Sequence, residues 1–319
     1  TAFRLIFRVE PGNGKGAGAR FCLFYDNGSQ NMTKIGFIGV GIMGKSMVRN
    51  LMKNGFELHI YARKRKKAED VIKEGAIFHE TIGECVSDVD AVITIVGYPK
   101  DVEEVYLAPG NIFDSAKAGT YLIDMTTSSP TLAKKLYEKG KEKGFHVLDA
   151  PVTGGDFGAK AGTLSILVGG LEEDFEACRP IFSAMGTNIN YFGKAGNGQH
   201  TKLTNQIILS GTLSGICEAF SYAKVQGLDL EKVFNALKTG AARSTQLEQL
   251  GPKMIHRDYA PGFFLKHFNK DMRLAVKEAD DVNLNLEVLK QTLENCSELE
   301  NEGFGDLGNQ SLIKHYKEL

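Results

Sequence analysis

Cysteine is scarce in this chain, and its spacing excludes two common kinds of site. The cysteines are odd in number, scattered, and form no CxxC pair; they are Cys22, Cys85, Cys178, Cys217 and Cys296. A disulfide framework or a zinc site of the usual spacing needs paired or clustered cysteines. We therefore interpret them as the reduced thiols of a cytosolic (cytoplasmic) protein, and we expect no metal site.

The chain also lacks an excess of charge of either sign. The 38 Lys and Arg residues are balanced by 39 Asp and Glu residues, which gives a formal net charge of -1. Proteins with a general affinity for nucleic acid or for anionic membranes carry a positive excess. The sequence therefore predicts no nucleic-acid and no membrane partner, and it favours a small-molecule ligand.

Uninterrupted apolar runs of membrane length are missing too. The long apolar segment that begins near Gln199 is interrupted by Glu218 and Lys224, whereas a spanning helix needs about 20 consecutive apolar residues. The opening residues, TAFRLIFRVE, are too short and too charged at Arg4 and Arg8 to form a signal peptide.

The first 31 residues differ in composition from the rest. They contain the glycine-rich run PGNGKGAGAR, which is typical of a flexible segment. We interpret residues 1–31 as a flexible leader or an added extension, with Met32 as the natural start. The remaining length is more than one core usually supports, so we expect two domains, residues 32–193 and 194–319.

A glycine motif opens the first of these domains. KIGFIGVGIMG is a short apolar strand followed by glycines spaced GxGxxG, and a helical pattern follows to Asn54. In that setting the glycines permit a tight turn, close approach of a pyrophosphate, and close helix–strand packing. We expect the turn to bind a dinucleotide through Gly39, Val40, Gly41, Ile42, Met43 and Gly44.

The end of the second strand, Glu57 to Ala62, indicates which dinucleotide. Sites that prefer NAD place an acid there for the ribose hydroxyls, but here Ala62 is followed by Arg63, Lys64, Arg65, Lys66 and Lys67. Cations at a helix start oppose the helix dipole, so an anion should offset them. We expect Ala62, Arg63 and Lys64 to receive the 2′-phosphate of NADP, and Lys66 and Lys67 to be solvated.

Apolar strands and helical stretches continue to alternate along the first domain. The strands are predicted at 91–96, 121–124, 146–148 and 164–168. Such alternation predicts an α/β fold with a doubly wound parallel sheet, in which ligands bind at the carboxyl ends of the strands. That rule points to Val96 and Gly97, to Thr126 and Thr127, and to the segment 149–155.

The segment 149–155 reads DAPVTGG. A hydroxyl beside two consecutive glycines can form a concavity of backbone N–H groups that binds an anion. A small carboxylate or a developing oxyanion would suit Thr153, Gly154 and Gly155. A plain glycine turn explains the same residues equally well at this point.

A long helix is predicted from about Gln199 to Gln226, and its apolar residues lie on nearly every side, which is typical of a buried helix. Its first turns carry Lys202, Asn205 and Gln206 on one face. A lysine there is either a surface residue that extends to solvent or a catalytic group. Gly211 and Gly215 would let another backbone approach. Further on, Lys270 and Asp271 are an ordinary surface pair on the simpler interpretation.

Together these motifs resemble the β-hydroxyacid dehydrogenase family, which includes 3-hydroxyisobutyrate dehydrogenases and tartronate semialdehyde reductases, with 6-phosphogluconate dehydrogenase as a distant relative. The resemblance covers Met32 to Leu319. It rests on GFIGVGIMG, IDMTTSSP, DAPVTGG with GTLSILVGG, GKAGNGQHTKLTNQ, and the pair Lys270–Asp271. Five motifs in this order are specific to the family.

The resemblance implies a Rossmann-type NADP-binding domain followed by an all-α domain for substrate binding and oligomerisation, joined by the long helix. It makes Lys202 the catalytic residue and places Thr153, Gly154 and Gly155 around the substrate carboxylate. It implies that Thr127 and Lys270 contact the dinucleotide, and that the protein is a homodimer or a homotetramer.

Two positions depart from the family pattern. Many members have asparagine four residues after the lysine, where this chain has Gln206, with Asn205 one position earlier. Either amide could orient the substrate. Ala62 likewise departs from the NAD-dependent members, although NAD remains an alternative cofactor.

We therefore expect NADP-dependent reduction of a small β-aldehyde acid similar to tartronate semialdehyde, or the reverse oxidation. A reductase of glyoxylate or succinic semialdehyde would carry the same motifs with different side chains in the helical domain. A dinucleotide-binding module without turnover is the alternative of another class; the presence of Lys202 and DAPVTGG argues against it. Imine reductases share the architecture but, by the same resemblance, lack the lysine.

Overall fold

The structure is a computed structural model that describes residues 4–9, 21–26 and 32–316. The chain divides into two units, Thr1–Thr33 and Lys34–Leu319. In the first unit, strands β1 (Arg4–Val9) and β2 (Phe21–Asp26) pair antiparallel, with Arg4 opposite Asp26. The glycine-rich run, on which the expectation of a flexible extension depends, lies outside the described residues.

The second unit opens with a six-stranded parallel sheet. Its strands lie side by side in the order β5-β4-β3-β6-β7-β8. The chain therefore runs outward from β3 in both directions, and the crevice at the carboxyl ends of β3 and β6 is the expected ligand site. The strands are β3 (Lys34–Ile38), β4 (Glu57–Tyr61), β5 (Ile77–Phe78), β6 (Ala91–Thr94), β7 (Tyr121–Asp124) and β8 (His146–Asp149).

Helices connect these strands and cover the sheet. Their starts follow local sequence signals: Thr81 and Glu84 form a capping box, and Ser129 accepts a hydrogen bond from Leu132 N just before Pro130. The helices are α1 (Ile42–Lys53), α2 (Glu69–Lys73), α3 (Ile82–Val86), α4 (Pro99–Leu107), α5 (Ile112–Ser115) and α6 (Pro130–Glu142), with a 3-10 turn at Arg65–Ala68.

A smaller sheet extends this half of the unit. Its strands are β9 (Val152–Thr153), β10 (Leu164–Val168) and β11 (Gly186–Tyr191), with helices α7 (Gly155–Ala161) and α8 (Glu172–Ser183). Strand β10 pairs parallel with β11 and antiparallel with β9. Strand β9 is not predicted by the sequence pattern, because two residues are too few to show alternation.

The rest of the unit is helical and has a core of its own, centred on Leu213, Phe220, Phe268 and Met272. Its helices are α9 (Asn197–Val225), α10 (Leu230–Leu237), α11 (Thr245–Ile255), α12 (Leu265–Asp280) and α13 (Glu287–Asn301), followed by 3-10 turns at Phe304–Asp306 and Asn309–Tyr316. The predicted fold class, a Rossmann-type parallel sheet followed by an all-α domain that a long helix joins to it, is confirmed.

The prediction that α9 is buried on every side is wrong. Ile208, Tyr222 and Val225 are 65%, 67% and 74% exposed. Helices α12 and α13 pack on α9, but nothing in the described ranges covers this apolar side. No described backbone lies close to the two glycines: among the described residues, a Cβ at Gly211 would meet only the Val288 side chain at 3.5 Å, and one at Gly215 would meet nothing within 4 Å.

None of the helices in the described part of the chain is both long enough and apolar enough to cross a membrane. The thiols of Cys85, Cys178, Cys217 and Cys296 are free and buried. Burial raises the pKa of Cys85 to about 12, which disfavours the reactive thiolate. These thiols are part of the packing.

Candidate active site

The glycine turn after β3 has the geometry that a dinucleotide needs. Gly39 has φ +109°, and a Cβ there would lie 2.0 Å from Ile95 O; a Cβ on Gly44 would lie 2.0 Å from Gly39 O. Those two positions admit only glycine. Around Gly41, by contrast, a Cβ would meet none of the described residues within 4 Å, and none of their side chains caps the start of α1 there. The open space and the uncapped N–H groups fit a pyrophosphate.

The other residues of the turn differ in how far they are exposed. Val40 is buried, Met43 is half-buried and Ile42 is 54% exposed. Val96 lies beside Gly39, since its Cγ1 is 3.4 Å from the position of a Gly39 Cβ. Val96 N donates to Thr126 Oγ1 at 3.0 Å, which fixes the loop after β6 against the loop after β7.

The basic segment after β4 is exposed. Ala62 is half-buried, while Arg63, Lys64, Lys66 and Lys67 are exposed. Arg65 turns away from this group, because it pairs with Glu80 at 3.1 Å and its guanidinium lies over the Phe78 ring. Arg63 is the first of the run, and its Nη1 lies 3.7 Å from Asp101 Oδ1 in the first turn of α4.

A buried carboxylate fixes the start of α9. Asp149, the last residue of β8, accepts hydrogen bonds from Gly196 N at 2.7 Å and Gln199 N at 2.9 Å. Gly198 packs so closely that a Cβ there would lie 2.4 Å from Leu167 O. Burial raises the pKa of Asp149 to about 7, although both backbone N–H groups oppose that shift. The helix N-terminus is thus held directly on the sheet.

A second buried carboxylate lies beside the first. Asp124 is opposite Asp149 in the pairing of β7 with β8, and it accepts from Thr94 Oγ1 at 2.9 Å and Thr126 N at 3.1 Å. Burial raises the pKa of Asp124 to about 6. Its hydrogen bonds shape the turn that leads to Thr127.

The first turn of α9 also binds that loop directly. Gln199 is fully buried; its Nε2 donates to Thr126 O at 2.7 Å, and its Oε1 accepts from Ser128 N at 2.8 Å. Two hydrogen bonds from one amide hold both sides of Thr127 and leave Thr127 itself half-buried.

Lys202 lies one turn further along α9 and is only 7% exposed. Its ammonium makes no hydrogen bond or ion pair with the described residues, and it is influenced by the nearby charges of Asp271 and Lys270. Burial is the largest effect and lowers the pKa of Lys202 to about 8; Asp271 raises it and Lys270 lowers it. A lysine with such a pKa can both accept and release a proton near neutral pH.

A chain of polar contacts links the face of α9 that carries Lys202 with the loop after β7. Gln206 Nε2 donates to Asp271 Oδ2 at 2.7 Å, and Asp271 Oδ1 lies 2.9 Å from Lys270 Nζ. Lys270 Nζ in turn donates to Thr127 O. Helix α12 therefore connects the helical half to the loop after β7, and Lys270–Asp271 is a buried pair, so the simpler interpretation of a surface pair is wrong.

The two amides after Lys202 have different surroundings. Gln206 is buried, and both ends of its amide are occupied, because its Oε1 accepts from Asn205 Nδ2 at 2.7 Å. Asn205 is half-buried and uses one N–H in that bond. Its carbonyl oxygen and its second N–H remain available for a ligand.

The DAPVTGG segment forms the start of α7. Gly154 and Gly155 have φ of +127° and +63°, and Gly154 precedes the first helical residue without a side-chain cap. Thr153 is half-buried on β9. The hydrogen bonds of residues 32–316 join neither Thr153 nor these glycines to the Lys202 contacts, so their part in the site remains a prediction.

Sequence reasoning missed the roles of Asp149, Gln199 and Asp271 in this site. Both Asp149 and Gln199 were inside quoted motifs; Asp149 was marked only as a charged residue in an otherwise apolar run, and Gln199 lies among polar residues and glycines, where nothing marked it. Their partners are 47 and 71 residues away in the chain, and no local pattern specifies such pairs.

Two family models match the chain in succession. Residues 34–193 match the NAD-binding domain of 6-phosphogluconate dehydrogenase, and residues 196–316 match the NAD-binding domain of NADP-dependent 3-hydroxyisobutyrate dehydrogenase. The glycine turn lies in the first match, and Lys202, Lys270 and Asp271 lie in the second. Fold and site together define an NAD(P)-dependent oxidoreductase.

Individual relatives narrow this class. An uncharacterized oxidoreductase of Bacillus subtilis, YkwC, is 48% identical over 88% of this chain and 97% of its own. The 2-hydroxy-3-oxopropionate reductase of Escherichia coli is 37% identical over 87% of this chain and 93% of its own. A solved structure of Mycobacterium tuberculosis 3-hydroxyisobutyrate dehydrogenase with L-serine has a TM-score of 0.81 and 28% identity, and covers 89% of this chain and 98% of its own. The chain belongs to the β-hydroxyacid dehydrogenase family, as its motifs predicted.

Because Asp149 holds α9 on the sheet, we expect Asp149→Asn to destabilise the protein by about 1–3 kcal/mol, the range for an unsatisfied buried donor. The asparagine NH₂ would face a backbone N–H that now donates to a carboxylate oxygen. Urea unfolding above pH 7, where the carboxylate is ionised, measures the loss.

The matched control is Asp229→Asn. Asp229 also accepts two backbone N–H bonds at a helix start, from Glu231 and Lys232, but in an exposed position. That change should cost less, because water can satisfy the released groups. Equal losses at the two sites would contradict the role assigned to Asp149.

Proposed function

We propose that the enzyme uses NADPH to reduce a small β-aldehyde acid similar to tartronate semialdehyde, and that Lys202 is its acid/base. The observation that carries this proposal is the buried Lys202 ammonium, which has a lowered pKa and no partner among the described residues. The Escherichia coli relative is named for the reduction of 2-hydroxy-3-oxopropionate, which is tartronate semialdehyde.

The cofactor would be held by residues at the carboxyl ends of β3, β4, β6 and β7. Gly39, Gly41 and Gly44 with the start of α1 suit its pyrophosphate, and Arg63 and Lys64 suit a 2′-phosphate. Val96 and Gly97 flank the glycine turn, while Thr127 and Lys270 lie towards Lys202. When bound, the nicotinamide supplies a hydride to the carbonyl carbon or removes one from the alcohol.

The chain itself handles the proton. In reduction, protonated Lys202 donates to the oxygen that becomes an alkoxide; in oxidation, neutral Lys202 accepts the hydroxyl proton. Asp271 keeps enough positive charge on the ammonium for the first role, while burial allows the second. Gln206 holds the Asp271 carboxylate in place.

The substrate carboxylate would bind at Thr153, Gly154 and Gly155. The positive φ of both glycines turns the backbone sharply before α7, and successive N–H groups in such a turn form an anion site. With the carboxylate held there, the carbonyl would face Lys202 and Asn205. A panel of tartronate semialdehyde, glyoxylate and succinic semialdehyde distinguishes the proposed substrate from its rivals.

We also expect a homo-oligomer. Ile208, Tyr222 and Val225 give α9 an exposed apolar side, and such surfaces are commonly covered by another subunit.

Lys202→Ala should lower kcat by about a hundredfold or more, the scale of one acid–base group, with little change in cofactor affinity. Lys202→Arg should fail as well, because a guanidinium does not release its proton near neutral pH. In the unmutated enzyme, kcat/KM for oxidation should rise with pH through about 8, and kcat/KM for reduction should fall through the same value.

Asp271→Asn tests whether the pKa seen in these pH profiles belongs to Lys202. Removing the carboxylate removes the charge that raises the pKa of Lys202 and leaves Lys270 unpaired, so both pH profiles should move to lower pH. Unmoved profiles, or a Lys202→Arg enzyme with near-normal turnover, would assign the proton to another group.

Asn205→Ala and Gln206→Ala should separate the amide that orients the substrate from the one that supports it. Because both polar atoms of the Gln206 amide already have partners among the described residues, whereas the Asn205 carbonyl oxygen has none there, Asn205→Ala should raise KM and lower kcat together. Gln206→Ala should mainly reduce the free energy of unfolding, by about 1–3 kcal/mol, since it strips a buried carboxylate of a donor. The opposite distribution of effects would make Gln206 the substrate-facing residue.

The enzyme should prefer NADPH to NADH by at least about tenfold in kcat/KM, equivalent to about 1.4 kcal/mol. Arg63→Ala should abolish that preference, because the guanidinium forks around a phosphate. Lys67→Ala, an equal loss of charge further along the exposed run, is the control and should preserve it. Equal rates with both cofactors in the unmutated protein would refute the preference.

A further inference from the structure

Arg63 and Asp101 meet across the carboxyl end of β3. Arg63 follows β4, and Asp101 lies in the helix that follows β6; β4 and β6 are the two neighbours of β3 in the sheet. The glycine turn leaves β3 between them. The contact between Arg63 Nη1 and Asp101 Oδ1, at 3.7 Å, therefore bridges the entrance to the turn on the side of the basic segment.

Asp101 is fixed more firmly than Arg63. The Asp101 side chain is only 14% exposed, and its Oδ2 accepts from Tyr98 N at 3.0 Å, so the carboxylate is fixed at the start of α4. The Arg63 side chain is 81% exposed, and Asp101 is its only charged contact among the described residues. A stronger anion can thus draw Arg63 away, while Asp101 stays.

We propose that Asp101 is a specificity-determining residue that competes with the cofactor 2′-phosphate for Arg63. The inference rests on the proposed role of Arg63 in cofactor choice. An NADPH phosphate must break the Arg63–Asp101 contact and lies near a fixed negative charge. NADH has no phosphate, and its ribose hydroxyls can donate to the Asp101 carboxylate, which then replaces the acid missing at Ala62.

The charge of Asp101 therefore opposes the preference that Arg63 creates. Because the Arg63 side chain is 81% exposed and its contact with Asp101 is 3.7 Å long, water competes for the guanidinium and the ion pair contributes little to stability. Arg63 therefore remains available to a phosphate, and the opposition is partial. Removing the Asp101 charge should therefore affect binding of the dianionic 2′-phosphate more than binding of a neutral ribose hydroxyl. It frees the Arg63 guanidinium and removes the repulsion between Asp101 and the phosphate, and both changes favour NADPH.

Asp101→Asn tests this proposal cleanly. The asparagine oxygen can still accept from Tyr98 N, so the start of α4 keeps its hydrogen bond while the charge is lost. Dissociation constants for NADPH and NADH are measured on the purified full chain by fluorescence titration at low salt. We expect the NADPH constant to fall about two- to fivefold, the scale of an exposed ion pair, and the NADH constant to stay or rise.

Asp88→Asn is the control for net charge. Asp88 pairs with Lys34 at the opposite, amino-terminal end of β3, and its neutralisation removes the same charge far from the turn. It should leave the ratio of the two constants unchanged. Thermal melting of both variants checks that neither alters the fold.

A double-mutant cycle with Arg63→Ala separates this inference from the proposed function. In the Arg63→Ala background the effect of Asp101→Asn on NADPH should shrink, because the competition is gone. If Asp101→Asn leaves the ratio of constants unchanged while Arg63→Ala abolishes the preference, the inference fails and the cofactor proposal stands. If the unmutated enzyme shows no preference but Asp101→Asn creates one, the inference stands and the proposed preference fails.

Discussion

The active site depends on the buried carboxylate of Asp149. It ends β8 and caps α9, so one side chain joins the sheet to the helix that carries Lys202. A charged group in such a position is costly unless hydrogen bonds satisfy it, and the helix N-terminus supplies them together with a favourable dipole. Gln199 adds a second connection through the loop that holds Thr127. Lys202, the proposed acid/base, is therefore fixed relative to the carboxyl edge of the sheet.

Helix α12 crosses the same cleft from the other side. Its Lys270 contacts Thr127 O and its Asp271 contacts Gln206, so successive residues serve the sheet and α9. The two lysines near Asp271 therefore have different surroundings. Lys270 neutralises Asp271 and reaches the loop after β7, whereas Lys202 has no partner among the described residues and keeps a lowered pKa. A buried lysine that was itself ion-paired would hold its proton too firmly for acid–base work.

Local patterns were sufficient to predict most of the fold. The glycine spacing, the apolar strands and the helix start signals each act over a few residues, and β3, β7 and β10 fall where they were expected. The same patterns placed Lys202, Asn205 and Gln206 on one polar face of the helix, since such a face on an apolar helix is visible in the sequence; the role of Lys202 came from the family resemblance and stays a prediction. They could not distinguish Asn205 from Gln206, because that difference arises from Asp271, 65 residues away. The exposed side of α9 was missed for a related reason: periodicity reports apolar side chains, and what covers them depends on packing.

The close packing at Gly198 sets more than the position of α9. A helix turns by about 100° and rises about 1.5 Å with each residue, so the direction in which Lys202 points is counted from the capped start at Gly196. Adding one residue between Gln199 and His200 would leave both capping N–H groups, of Gly196 and Gln199, in place. It would nonetheless rotate Lys202 out of the cleft and bring the hydroxyl of Thr201 towards it. The number of residues in this short segment therefore fixes the direction of Lys202, and the proposed acid/base role depends on that direction as much as on the lysine itself.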